Sequence, residues 1–374
     1  MPNQRSIASM TSGPAMDKSP RTVIRDEIRT LSAYHVPDSR GLVKLDAMEN
    51  PYALPEDLRV ELGRLAAEAS LNRYPDASAV QLKQRLRVAL GVPEAMDLLL
   101  GNGSDELIQI LALAVNRPGA VLLGVDPSFV MFRMIALFTG LKYVGVPLGP
   151  DFNLDTPRLL AAVRERAPAL IFIAYPNNPT GNLFDADTLR TLIQAAPGLV
   201  VIDEAYHAFA GRSFIPELDR YPNLLVMRTL SKLGLAGLRL GILIGRPDWL
   251  AELDKLRLPY NVNVLTQVVA ARVLERTDIL DEQAAAIRSE RMRVLSALKL
   301  LPGVRAYSSD ANFILFRASH ADAVFGGLKA RGVLIKNLNG AHSSLADCLR
   351  VTIGTPQENS RFLEALAQSL PQAA

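Results

Sequence analysis

Lys232 follows Ser231 and precedes Arg239 by seven residues, inside the glycine-rich run Thr229-Leu230-Ser231-Lys232-Leu233-Gly234-Leu235-Ala236-Gly237-Leu238-Arg239-Leu240-Gly241. That run joins two apolar, strand-like segments, Leu224-Leu225-Val226-Met227 and Gly241-Ile242-Leu243-Ile244. An amine held between buried strands is partly desolvated and nucleophilic, and Ser and Arg side chains are good donors to a phosphate. An isolated Ser-Lys pair also fits an ordinary surface loop, so the rest of the chain decides between the two. Leu98-Leu99-Leu100 leads into Gly101-Asn102-Gly103-Ser104-Asp105-Glu106. Glycines before a helix leave backbone N–H groups and the helix dipole open to an anion, although Ser104 or Asp105 serves equally well as a helix cap. Ala169–Ala174 runs into Tyr175-Pro176-Asn177-Asn178-Pro179-Thr180-Gly181. This rigid turn either aims amides into a cleft or simply builds itself. Leu199–Ile202 ends at Asp203, followed by Glu204-Ala205-Tyr206. Asp203 is either a cap or a carboxylate that keeps a ring nitrogen protonated.

In open α/β sheets ligands sit beyond the carboxyl ends of the strands, which is where these groups collect. An anion cradle at Ser104, amide and phenol donors at Asn178 and Tyr206, a carboxylate at Asp203 and an amine at Lys232 are the groups pyridoxal 5′-phosphate requires. Phe129, after another apolar run, offers a face to stack on its ring. Rival chemistries find less support. Gly101-x-Gly103 is followed by Glu106 where a dinucleotide fingerprint needs glycine, and no Walker A string occurs. The four histidines, His35, His207, His320 and His342, lack metal-ligand spacing, so no metal is expected.

The elements that would carry these groups follow from periodicity. Helical patterns cover roughly 22–32, 56–69, 78–90, 103–116, 128–140, 156–167 and 185–196. Apolar strand-length runs cover roughly 120–125, 142–147, 169–174, 198–203, 223–228 and 240–245. Their alternation predicts an α/β fold with a largely parallel sheet covered on both faces. After residue 247 come helices, then short strands such as Asn312–Phe316, Gly332–Ile335 and Leu349–Ile353, which predict a smaller α+β unit. The expected division is a flexible tail at 1–20, a large cofactor-binding domain at 51–279, and a small domain from 21–50 with 280–374. With 41 Lys+Arg against 38 Asp+Glu the chain has no basic surface for nucleic acid. No apolar run reaches the roughly 20 residues of a membrane helix, and the single Cys348 fits a reducing, cytoplasmic compartment.

On Glu49-Asn50-Pro51-Tyr52, Arg73-Tyr74-Pro75-Asp76, Gly101–Glu106, Pro176–Gly181, Asp203–Tyr206, Ser231-Lys232, Gly237-Leu238-Arg239 and Leu349–Gly354, the chain resembles the fold type I pyridoxal-phosphate-dependent aminotransferases of class II. The likeness is strongest to the histidinol-phosphate branch and spans about residues 30 to 370. It implies a large domain with a mostly parallel seven-stranded sheet flanked by helices, the smaller α+β domain, and a homodimer with shared sites. Lys232 would carry the cofactor covalently, Asp203 would pair with the ring nitrogen, and Asn178 and Tyr206 would hold the 3′ oxygen. Phe129 would stack on the ring. Ser231, Arg239 and the backbone at Ser104 and Asp105 would bind the phosphate, joined by Tyr52 of the neighbouring subunit. Tyr34, Asn178, Lys336 and Arg350 would contact substrate. The implied activity is ping-pong amino transfer between L-histidinol phosphate and 2-oxoglutarate, with an aromatic amino acid aminotransferase or a related lyase as alternatives. The sequence departs from the family pattern at three places: a Lys232–Arg239 loop one residue short, Phe129 where tyrosine is frequent, and Lys336 where arginine is usual. A lysine's point charge holds phosphate with less geometric definition than a guanidinium.

Overall fold

The computed structural model describes residues 18–33 and 36–371. Contacts group the chain into two compact units, Met1–Asp38 and Ser39–Ala374. The first contains two single-turn helices, Pro20–Val23 and Asp26–Arg29, where one helix is expected. Ile24 (ψ 131°) and Arg25 (ψ 142°) are extended and break the helix between them. Most of the expected tail at 1–20 lies outside the described residues.

The second unit is built on thirteen strands among the described residues. They are β1 Val43–Lys44, β2 Asp97–Asn102, β3 Val121–Asp126, β4 Lys142–Pro147, β5 Leu170–Ala174, β6 Leu199–Asp203, β7 Leu224–Thr229, β8 Leu240–Gly245, β9 Val304–Ala306, β10 Phe313–Ala318, β11 Val333–Leu334, β12 Lys336–Asn337 and β13 Cys348–Thr352. Seven of them form the central sheet in the order β2-β8-β7-β6-β5-β3-β4. Its adjacent pairs are parallel except where β8 meets β7 and β2. Both faces are covered. Ile171, Ile173, Val200, Ile202, Leu224 and Val226 belong to one apolar cluster, while Leu170, Phe172, Leu199, Val201, Leu225 and Met227 belong to another. Alternate residues thus enter opposite cores, which is why these strands read as unbroken apolar runs.

The smaller sheet, β12-β13-β10-β9, is antiparallel, and β1 pairs in parallel with β11. Its core includes Phe313, Phe316, Val351 and Phe362, with Ile287, Val294 and Leu298 of the helix Thr277–Leu300. Two of its strands place arginine and lysine side by side, since Lys336 on β12 is directly opposite Arg350 on β13. Directly opposed residues of an antiparallel pair project from the same face.

Candidate active site

The reversed strand β8 explains the position of Lys232. β5, β6 and β7 end at one edge of the sheet, and the chain must turn there to enter β8 beside β7. The turn is made by two short 3₁₀ segments, Ser231–Leu233 and Ala236–Leu238, around Gly234 at φ 108°. Only glycine takes that backbone region without strain. Arg239 closes the turn at φ 49° and feeds β8. This is the path of the shortened loop.

A cavity of about 110 Å³ opens at this edge. Nine residues singled out from the sequence line it: Ser104, Asp105, Phe129, Asn178, Asp203, Tyr206, Ser231, Lys232 and Arg239. Met48, Ala174, Ala205 and Thr229 complete the wall. The strand parity of the fold accounts for the grouping. Ala174, Asp203 and Thr229 continue the alternation of Phe172, Val201 and Met227, so all three face the same side of the sheet. Thr229 was not singled out, though that alternation carries its signal; its hydroxyl bonds Ser231 Oγ at 3.0 Å and accepts from Ser231 N at 3.1 Å.

Lys232 Nζ donates to the Ala47 carbonyl at 3.3 Å and lies 5.9 Å from the Tyr206 ring centroid. Burial, with Arg350 and Arg239 nearby, lowers the amine from 10.5 to about 8 against the pull of Glu49 and Asp105. Asp203 is buried and accepts from Ala205 N at 3.1 Å, so it does brace the following turn. Its carboxylate nevertheless faces the cavity. Burial pushes it up to about 7, helped by Asp105 and Glu204 and opposed by the Ala205 N–H and Lys232. Tyr206 Oη accepts from Asn178 Nδ2 at 3.2 Å, and burial raises the phenol above its ordinary range. Asn178 Oδ1 in turn accepts from Arg350 Nη1 at 2.6 Å, whose other nitrogen Nη2 reaches the Asp46 carbonyl at 2.9 Å. Arg350 is thereby buried one residue away from the wall. Phe129 makes an edge contact with Phe132, centroids 5.5 Å apart.

The helix Ser104–Val115 starts beside Arg239. Its N-cap is Gly103 (φ 86°), no side chain caps it, and Ser104 and Asp105 are its first two residues. The capping alternative therefore fails, and the first-turn N–H groups are left for a ligand. Glu106 fixes the approach, accepting from Asn102 N at 2.6 Å and Asn261 Nδ2 at 2.7 Å. Gly241 on β8 lets the helix start come close, because a Cβ there would lie 2.6 Å from Gly103 C and Ser104 N. Gly241→Ala is expected to cost about 1–3 kcal/mol, as overpacking does. A lower thermal midpoint together with weaker binding of inorganic phosphate to the cofactor-free protein is the measurement; an unchanged phosphate affinity would separate this contact from the anion site.

The remaining residues fall elsewhere. Tyr52 is half-buried against the small-domain core and does not line its own chain's cavity. Lys336 is half-buried on β12 beside Arg350 and likewise stands off the wall. Tyr34 lies outside the described residues.

An amine, an uncapped helix start flanked by serine and arginine, and a buried carboxylate at one cavity define a site for a phosphorylated aldehyde-bearing ring. The chain belongs to the class I and II aminotransferases, whose family profile matches residues 40–366. It is similar to histidinol-phosphate aminotransferase 2 of Nitrosococcus oceani, 58% identical over 346 residues that cover 92% of this chain and 96% of that protein. Histidinol-phosphate aminotransferase 1 of Ralstonia nicotianae is 53% identical over 362 residues, covering 96% and 97%. Among solved structures, the histidinol-phosphate aminotransferase of Sinorhizobium meliloti in complex with pyridoxal-5′-phosphate superposes with a TM-score of 0.83 at 25% identity, covering 93% of this chain and 97% of that one.

Proposed function

We propose that this chain binds pyridoxal 5′-phosphate and transfers an amino group between L-histidinol phosphate and 2-oxoglutarate, a step of histidine biosynthesis. The observation that carries the cofactor is the buried Asp203 carboxylate, which among the described residues has no Lys, Arg or His within ion-pair distance although it faces the cavity. A protonated ring nitrogen is the partner that would stabilise its charge. When bound, the cofactor supplies an aldehyde that condenses with amines and a ring that withdraws electrons from the substrate's α-carbon. The protein's part is binding, orientation and proton transfer. Ser231, Arg239 and the first-turn amides at Ser104 and Asp105 hold the phosphate; Phe129 packs against the ring; Asn178 and Tyr206 donate to its 3′ oxygen. Lys232 Nζ, once released, carries the proton to and from the α-carbon in each half of a ping-pong cycle.

Arg350 is the anion clamp for substrate, alternately phosphate and carboxylate, which one guanidinium can serve. Lys336 beside it would extend that contact, and Tyr34 is a further substrate residue that the family likeness implies. Residues 51–279 form the cofactor-binding domain, and 280–374 with 21–50 the small one. The functional unit is a cytoplasmic homodimer in which Tyr52 reaches the phosphate bound by a second copy. The relatives more than 50% identical that carry the histidinol-phosphate name favour this substrate over an aromatic amino acid.

Comparing L-histidinol phosphate with L-phenylalanine as amino donor tests the substrate. Arg350 can take phenylalanine's carboxylate, so the discrimination falls on contacts that only the phosphate reaches, such as Lys336; a charged hydrogen bond contributes about 1.5–3 kcal/mol, and losing one should lower kcat/KM by about 10- to 100-fold. Equal rates would point to the aromatic enzyme, and release of carbon dioxide from a carboxylated amine to the lyase.

A further inference from the structure

Behind the cavity, on the opposite face of the sheet, lies a buried ion pair that the site described above does not use. Glu204 follows Asp203 and Arg228 precedes Thr229, so strand alternation turns both away from the cavity toward the apolar cluster that contains Leu224 and Val226. Glu204 is fully buried and Arg228 is 6% exposed. Arg228 grips Glu204 Oε2 through Nε at 3.0 Å and Nη2 at 2.8 Å. Ser213 Oγ donates to Glu204 Oε2 at 2.9 Å and accepts from Arg228 Nη2 at 2.9 Å, while Phe214 N donates to Glu204 Oε1 at 2.5 Å. The Glu204 carbonyl takes the His207 backbone N–H at 3.0 Å and sits 3.1 Å from its Nδ1. The knot ties β6, β7 and the loop at Ser213–Ile215 together.

Its position in the chain is what gives it a function. The cavity residues Asp203, Ala205 and Tyr206 branch from Glu204 within two residues, and Thr229, Ser231 and Lys232 branch from Arg228 within four. Among the described residues the backbone link between the two groups at this edge is the parallel ladder, which ends with Asp203 opposite Met227 and Glu204 N on the Met227 carbonyl at 2.7 Å. Beyond that last rung β6 and β7 are held by their outer neighbours β5 and β8, and the Glu204–Arg228–Ser213 knot is a side-chain link directly between them. We propose that Glu204, Arg228 and Ser213 are positioning residues that fix the Asp203 carboxylate relative to the Lys232 amine. A hydrophobic pair would hold the fold as well or better, since replacing a buried ion pair by packed apolar groups is often neutral or stabilising. What the charged pair adds is direction: two charge-assisted N–H bonds from Arg228 converge on Glu204 Oε2 while Phe214 N holds Oε1.

The proposal rests on the site proposed above, and its test separates the two. The variants are Arg228→Met, Arg228→Lys and the double variant Glu204→Gln/Arg228→Met, each compared by thermal midpoint, by kcat and KM, and by the pH profile of Lys232 acylation in the cofactor-free protein. The groups that bias this amine from surrounding elements are Glu49, Asp105, Asp203, Arg239 and Arg350, with the Tyr206 ring 5.9 Å away; none is substituted in any variant, and Asp203 is the one whose distance to the amine the knot sets. Arg228→Met leaves Glu204 buried and unpaired, so it is expected to lower the thermal midpoint; the double variant should restore it. A positioning role predicts that the double variant still has kcat reduced about 10- to 100-fold, as misplacement of about 1 Å costs, with KM changed less than about threefold and the acylation midpoint displaced by at least about half a pH unit. Arg228→Lys should fall between. A double variant that recovers stability, kcat and the acylation midpoint together overturns the proposal. If Arg228→Met does not fold, the double variant alone decides. Should the native protein take up no cofactor, the site assignment fails, while the acylation profile still reads the knot.

Discussion

Lys232→Ala is expected to abolish covalent cofactor attachment and to lower turnover by at least about 10³-fold, because a positioned general base alone contributes about 10²–10⁴. Among the described residues Lys232 is the only lysine on the cavity wall, and its neighbours are arranged to make the amine reactive rather than merely present. Burial removes water from the ammonium, and the guanidinium charges of Arg350 and Arg239 disfavour it further, which brings the group down to about 8. The sign of the pH dependence follows. The amine is protonated and inert below that value and neutral and nucleophilic above it, so acylation of Lys232 in the cofactor-free protein should rise with pH, reach half its maximum near 8, and level off where an ordinary lysine is still mostly charged. The Ala47 carbonyl at 3.3 Å holds the free amine at one side of the cavity without blocking its lone pair once deprotonated. Retention by Lys232→Ala of an adduct that borohydride reduces onto the chain would assign the attachment to another residue.

The central sheet was legible because its strands are buried on both faces. Runs such as Leu199–Asp203 and Leu224–Thr229 carry no polar interruption until their carboxyl ends, so the first polar residue marks the edge where a ligand binds. That is why Asp203 and the Lys232 loop stood out. What the pattern did not reveal is geometry set by parity and by side chains distant in sequence. The antiparallel entry of β8 depends on pairing with β2, whose Gly101 and Asn102 lie opposite Gly241 and Leu240. Nothing local in either segment specifies that register. Met48 reaches the wall through a left-handed backbone at φ 54°, pinned by Thr352 Oγ1 on its N–H at 2.9 Å and by Asn312 Nδ2 on its carbonyl at 2.9 Å. Those partners are 304 and 264 residues away. Asn178 and Arg350, 172 residues apart, were each singled out separately, yet their 2.6 Å contact, which joins the small sheet to the cavity, follows only from the folded chain.

Asp203→Asn is expected to separate stability from function. On the proposed assignment the carboxylate would oppose a protonated ring nitrogen in the loaded enzyme, and an ion pair at about 4 Å with an effective dielectric near 20 is worth about 4 kcal/mol. Losing it when negative charge develops on the substrate should reduce kcat by about 10³-fold, with the near-isosteric amide leaving phosphate contacts and KM little changed. Without cofactor the same carboxylate is a liability. Its folded value, about 7, stands above the ordinary 3.8 because burial disfavours the charged form. The folded protein therefore binds more protons than the unfolded chain across that window, and stability falls as pH rises from about 4 to 7. Asparagine carries no such charge. Cofactor-free Asp203→Asn should consequently be the more stable protein at pH 8, by an amount on the order of 4 kcal/mol, and the advantage should vanish near pH 4. Adding pyridoxal 5′-phosphate should reverse the order, since only the native carboxylate gains a partner. Thermal midpoints of both proteins at pH 4 and 8, with and without cofactor, measure this crossing. A native protein that is already the more stable at pH 8 when empty would mean that Asp203 has its counter-charge within the chain and does not await one from the ring.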